Sequence, residues 1–92
     1  MSRVTVELPS VLAPLVDGNQ TLAFDAAPLP EVLTQLTDSY PALGPRLFDE
    51  AGRFREHVLC FHNETSTRWL DSLDVGLSDG DVISILQAVS GG

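Results

Sequence analysis

The chain has 92 residues, 43% of them hydrophobic, with 13 acids against 5 bases and a formal charge of −8. That length holds one small domain with a modest core, and the apolar share argues against disorder. The charge excludes a reader of phosphate backbones or of anionic membrane surfaces, and points to protein partners with basic faces.

The first predicted element is a strand ending at Pro9, in which Val4, Val6 and Leu8 alternate with Thr5 and Glu7. This period of two, rich in β-branched residues, fits a half-buried strand. After the turn signal Asp17-Gly18-Asn19, Leu22 and Phe24 alternate with Thr21, Ala23 and Asp25 in a second strand, antiparallel to the first. Pro28-Leu29-Pro30-Glu31 opens a helix, because proline is tolerated in a first turn whose N–H groups have no partner. Leu29, Val32, Leu33, Leu36 and Tyr40 give that helix one apolar stripe, and Pro41 stops it near Ser39 or Tyr40. Residues 42–55, with Gly44, Pro45 and Gly52, are predicted irregular. His57 to His62 forms a third strand, Asn63 to Ser66 a turn, and Thr67 to Leu70 a short fourth strand. Leu77 to Asp81 is a second turn, and Val82 to Gln87 the last strand.

A helix must bury its stripe against the apolar face of the sheet. The predicted class is therefore α+β: a mixed five-stranded sheet packed on one main helix, in the β-grasp arrangement. The first and last strands lie side by side and parallel, joined by the long route through the helix. Residues 1–87 make the domain and residues 88–92 a flexible tail. By alternation Val4, Val6, Leu22, Phe24, Val58, Cys60, Ile83 and Ile85 point inward. Leu59, Phe61 and Leu86 point outward and form an apolar patch fit for docking.

Side-chain chemistry is sparse. The single cysteine, Cys60, allows no internal disulfide and reads as a core residue. His57, Cys60 and His62 do not share one strand face and lack a fourth partner at a structural-zinc spacing, so no metal site is expected. His62 reads as a rim residue. There is no glycine-rich phosphate loop and no Ser-His-Asp grouping. The N-terminal stretch lacks the pattern of a signal peptide and no apolar run reaches the ~18 residues of a membrane span, so a cytoplasmic location is expected.

The distinctive feature is the end. Gly91-Gly92 follows the last strand by three residues. Four residues from Val89 extend about 14 Å, a reach suited to entering a partner's active site. Val89, Ser90, Gly91 and Gly92 form a narrow arm, and glycine at its tip passes through a channel that a bulkier end would not.

The run Leu77-Ser78-Asp79-Gly80-Asp81-Val82-Ile83-Ser84-Ile85-Leu86, followed by Ala88-Val89-Ser90-Gly91-Gly92, resembles the ending of the ubiquitin-like sulfur-carrier proteins of the MoaD/ThiS family. Arg55 to Glu64 resembles their middle strand, and Val4 to Pro9 and Arg46-Leu47 are also similar, so that the likeness covers essentially the whole chain. It is nearest to the CysO-like carriers of cysteine biosynthesis. The resemblance implies a protein cosubstrate rather than an enzyme. A ThiF/MoeB-like activating enzyme, using ATP and Mg²⁺ that belong to the enzyme, would adenylate the Gly92 carboxylate. A sulfur donor would then convert it to a thiocarboxylate. Sulfur would pass to an acceptor on a second enzyme: a cysteine-synthase-like partner, or one making molybdopterin, thiamin or a thio-metabolite. In the cysteine branch a JAMM-type peptidase would trim the tail. Two alternatives stay open. One is a ubiquitin-like modifier joined to target proteins through Gly92, and the other a β-grasp interaction module with an inert tail. Lysine is absent, so the chain's own side chains cannot accept an isopeptide.

Overall fold

The computed structural model describes residues 2–67 and 76–87. In chain order they form β1 (Arg3–Glu7), a 3-10 helix (Ser10–Val16), β2 (Thr21–Asp25), α1 (Leu29–Ser39), α2 (Leu43–Leu47), β3 (Val58–His62), β4 (Thr65–Ser66) and β5 (Val82–Gln87). The strands make one sheet in the order β2-β1-β5-β3-β4. β1 and β5 are parallel, with Thr5 opposite Val82, Val6 opposite Ile83 and Glu7 opposite Ser84. The other pairings, β1–β2, β3–β5 and β3–β4, are antiparallel. This is the predicted mixed five-stranded arrangement, with the first and last strands at its centre.

The alternation that defines the strands also sorts their side chains. Val4, Val6, Ile83, Ile85, Val58 and Cys60 are buried, and Leu22 and Phe24 are half-buried against the same core. Against them lies the stripe of α1, where Leu29, Val32 and Leu36 are wholly buried and Leu33 nearly so. Pro28 precedes α1 and Pro30 occupies its first turn, where neither removes a helix hydrogen bond. Glu31 stands in the same turn, beside the positive end of the helix dipole. Tyr40 donates its N–H to the Leu36 carbonyl as the helix closes, and Pro41 follows.

Three segments differ from the prediction. Residues 10–16, read as a connection, coil into a 3-10 helix that buries Leu12 and Val16. Residues 42–55, read as irregular, contain α2, which buries Leu43 and Leu47 one turn apart; Pro45 lies in its first turn, and so the proline that looked like a breaker is tolerated. A fourth strand forms at Thr65–Ser66, inside the predicted turn: Ser66 lies opposite Phe61 and Thr65 opposite His62, which confines the turn to Asn63 and Glu64; of the predicted strand Thr67 to Leu70 only Thr67 is described, and it is not in a strand. Asn63 takes a positive φ of 56°, a conformation asparagine tolerates better than most residues. Thr67 is buried and gives its hydroxyl proton to the Cys60 carbonyl at 3.0 Å, and residues 68–70 lie outside the described part.

The start of β5 is fixed by one carboxylate. Asp81 Oδ2 accepts the Ser78 N–H at 2.9 Å and meets His62 Nε2 at 2.8 Å, while Oδ1 accepts from Asn63 Nδ2 at 3.3 Å. Asn63 in turn accepts the Val82 N–H on its side chain at 2.9 Å and donates its own N–H to the Val82 carbonyl at 2.7 Å. The Ser78 hydrogen bond, with those of His62 and Asn63, draws the Asp81 pKa down to about 2. A carboxylate whose folded pKa is depressed stabilises the fold above its unfolded pKa, and that contribution disappears as pH falls through the folded value.

The Asp81→Asn protein will unfold at lower urea than the parent at neutral pH, and the gap will narrow as pH falls from about 4 towards 2; urea midpoints across that range measure it. Ile83 is wholly buried whereas Leu86, on the same strand, is 46% exposed. Ile83→Ala will therefore cost about 2–5 kcal/mol in urea unfolding, and Leu86→Ser within about 0.5–1 kcal/mol.

Candidate functional site

The predicted reactive end, Gly92 with Gly91, Ser90 and Val89 behind it, lies outside the described residues, as does the proposed tail boundary at residue 88. What the structure does describe is the strand that carries this end. β5 runs between β1 and β3, with Gln87 opposite Val58. β1 pairs with its first half, Val82–Ser84, and β3 with Ile83–Gln87, so that β3 alone holds the end from which the chain leaves the sheet.

The outward residues predicted for docking come together on β3 and β5. Leu59 and Leu86 face each other directly across the antiparallel pair, and Phe61 faces Ser84, one step diagonal from Leu86. Leu86 is exposed, and Leu59 and Phe61 are half-buried. Cross-strand neighbours on one face stand close enough for their side chains to touch, so the three make one patch rather than scattered apolar positions. The patch has a polar border towards β1: Ser84, which lies opposite Glu7, gives its hydroxyl proton to Glu7 Oε1 at 3.2 Å. A cleft of about 390 Å³ opens beside it, lined by Glu7, Gln20, Thr21, Ser84 and Leu86 among others. Glu7 was read from sequence only as the polar half of a strand. Its place beside the patch follows from the β1–β5 pairing.

The cysteine and histidines are dispersed. Cys60 is buried, and desolvation pushes its thiol up to about 11 against the weaker opposing effect of Thr67. A thiol held protonated is a poor nucleophile and a poor metal ligand. His57 is exposed at the mouth of β3. His62 sits at the rim, as predicted, with its side chain 22% exposed and bound to Asp81. That partner, 19 residues away, carried no local signal. No group of three histidine, cysteine or acidic side chains placed to hold a metal ion occurs among the described residues. No helix there is long and apolar enough to cross a membrane. In the native protein Cys60 will react with iodoacetamide at pH 8 about two orders of magnitude more slowly than a free thiol. Denaturing urea will abolish that difference, and alkylation followed by mass spectrometry reads both rates.

The ThiS family matches residues 6–92. The chain is 31% identical over 91 residues to the sulfur carrier protein CysO of Mycobacterium tuberculosis, covering 97% of this chain and 98% of that one. It is 34% identical over 68 residues to small archaeal modifier protein 3 of Haloferax volcanii, covering 74% and 73% of the two chains. Its fold superposes on a chain of the crystal structure of the Amycolatopsis orientalis BexX/CysO complex with a TM-score of 0.84 at 26% identity, covering 97% and 99%. The sheet order, the central parallel pair and a family match that extends to the diglycine end agree with one another: the chain has the ubiquitin-like β-grasp fold and belongs to the ThiS family.

Proposed function

We propose that this protein is a sulfur carrier whose Gly92 carboxylate is converted to a thiocarboxylate. The observation that carries the reading is the placement of β5. It is an inner strand of the sheet, and only four residues separate its last residue, Gln87, from Gly92. A segment of that length can reach at most about 18 Å beyond Gln87, and the match to the ThiS family continues through the glycine pair.

A C-terminal carboxyl has a pKa of about 3.3–3.7 and is ionised at neutral pH, so it resists nucleophiles until activated. In the proposed sequence a Gly92 oxygen attacks the α-phosphorus of ATP and pyrophosphate leaves, giving the acyl-adenylate. Hydrosulfide then adds to the acyl carbon and AMP leaves with the bonding pair, giving the thiocarboxylate. ATP, Mg²⁺ and the catalytic groups belong to a ThiF/MoeB-like activating enzyme. The buried, protonated Cys60 keeps the body's own thiol out of this exchange. Leu59, Phe61 and Leu86 supply the apolar contact for that enzyme, and the −8 charge steers the carrier to a basic surface around it. The likeness to CysO favours a sulfur acceptor held by a cysteine-synthase-like enzyme, with a JAMM-type peptidase releasing the product.

A second reading has its own support in the 34% identity to an archaeal modifier protein. In it the same adenylate is captured by an amine of a target protein. Incubation with a ThiF/MoeB-like enzyme, ATP and sulfide, followed by intact-mass measurement, separates the two. The carrier reading expects a species heavier by the exchange of one oxygen for sulfur. Amide-linked conjugates that survive thiol treatment, with no such species, would favour the modifier. Removal of Gly91 and Gly92 will abolish the mass change while leaving the circular dichroism spectrum unaltered. Leu86→Asp will lower kcat/KM for adenylation by about 10–100-fold, a loss of about 1.4–2.7 kcal/mol of transition-state binding.

A further inference from the structure

Apart from the docking patch, the sheet has a second surface with unused bonding capacity. β2 is an edge strand, bonded to β1 on one side. The register fixes which of its backbone groups are spent. Leu8 donates to the Gln20 carbonyl at 2.7 Å and Ala26 to the Ser2 carbonyl at 3.0 Å, so the residues of β2 in step with them, Leu22 and Phe24, turn their N–H and C=O towards β1. Thr5 confirms the phase, since its N–H goes the other way, to Asp81 on the β5 side, at 3.0 Å. The N–H and C=O groups of Thr21, Ala23 and Asp25 therefore point away from the sheet, and no backbone partner is found for them among the described residues.

Edge strands are ordinarily blunted by proline, lysine, an inward charge or a bulge. Thr21-Leu22-Ala23-Phe24-Asp25 has no proline or lysine, its inward residues are apolar, and its five residues pair one-for-one with β1 without a bulge. We propose that the free edge of β2 receives an extended segment of a partner protein as a sixth strand, and that this segment alternates apolar and basic residues. The alternation is dictated by the two faces. On the helix side the added side chains lie beside Leu22 and Phe24, which are only half-buried and gain from apolar cover. On the other side they lie beside the exposed Thr21 and Asp25, with exposed Asp17 in the turn before the strand. Arg3 already binds Asp25 at 2.9 Å, but both side chains are largely solvated, at 55% and 75% exposure, and do not cancel the acidity of a chain carrying −8. The same charge opposes a second copy of this chain as the occupant, because pairing would bring two such bodies edge to edge.

The probe is a capped synthetic heptapeptide of alternating arginine and valine, titrated into the ¹⁵N-labelled full chain, with an alternating glutamate–valine heptapeptide as control. The expected result is saturable shifts centred on residues 21–25 with the arginine peptide alone, and slowed hydrogen exchange at the amides of Thr21, Ala23 and Asp25. Ala23→Pro removes an edge donor without touching the bonds to β1, and will weaken binding at least ~10-fold; Ala23→Ser will not. The exchange measurement on the parent protein stands whether or not the proline variant folds. Shifts without protection at those three amides would reduce the effect to diffuse charge attraction and overturn the proposal. So would binding unchanged by Ala23→Pro, or dilution-dependent shifts of β2 in the absence of peptide, which would make a second copy the occupant.

Discussion

The structure depends on the parallel pairing of β1 with β5. It joins the two ends of the described chain, with Val6 opposite Ile83 in the middle of the core. Parallel neighbours require a long crossover, and here residues between them supply both the helix that covers the sheet and the pair β3–β4 that flanks β5 on its far side. β5 is paired with β1 over Val82–Ser84, and β3 carries the pairing on to Gln87, opposite Val58, so its exit point is set by β3. The Asp81 carboxylate adds a local anchor at the opposite end of the strand, gathering Ser78, Asn63 and His62 around the turn that feeds it. Under the proposed function this support matters, because the reach of the chain end is counted from Gln87, the last residue of β5.

The body itself offers little chemistry. Its thiol is buried and protonated, one histidine is exposed and the other is bound to a carboxylate. What it offers is surface of three kinds. The outer face of β3 and β5 is apolar, the border at Glu7 and Ser84 is polar, and the edge of β2 is a row of open backbone groups. In the proposed sulfur carrier, recognition would be the main task of the folded part.

Much of this was legible in the residues, because the governing energies are local. The period of two in Val4-Thr5-Val6 and Ile83-Ser84-Ile85 assigns inward and outward faces before any pairing is known, and the faces came out as read. The prolines at 28, 30 and 41 bracket α1 because their ring geometry and missing donor act within one turn. The patch of Leu59, Phe61 and Leu86 was found by the same alternation. The ending from Leu77 to Gly92 resembled one family, and the chain belongs to it.

Other features were decided by the tertiary structure. Leu12 and Val16, like Leu43 and Leu47, sit in segments whose prolines and glycine argue locally against helix. They coil because a short helix is the conformation that buries those side chains against a core already formed. β4 lies at Thr65–Ser66, inside the predicted turn, because strand position is set by hydrogen bonding to Phe61 and His62 across the sheet. The pairing of His62 with Asp81, the position of Glu7 beside the patch and the open edge of β2 all depend on strand order. The sequence by itself determined which stretches form the main strands and helix, which way their side chains face, and that the chain is acidic and ends in glycine. The tertiary structure alone decided which distant residues meet, because spacing along the chain governs contacts within an element, whereas contacts between elements depend on how the sheet closes around its core.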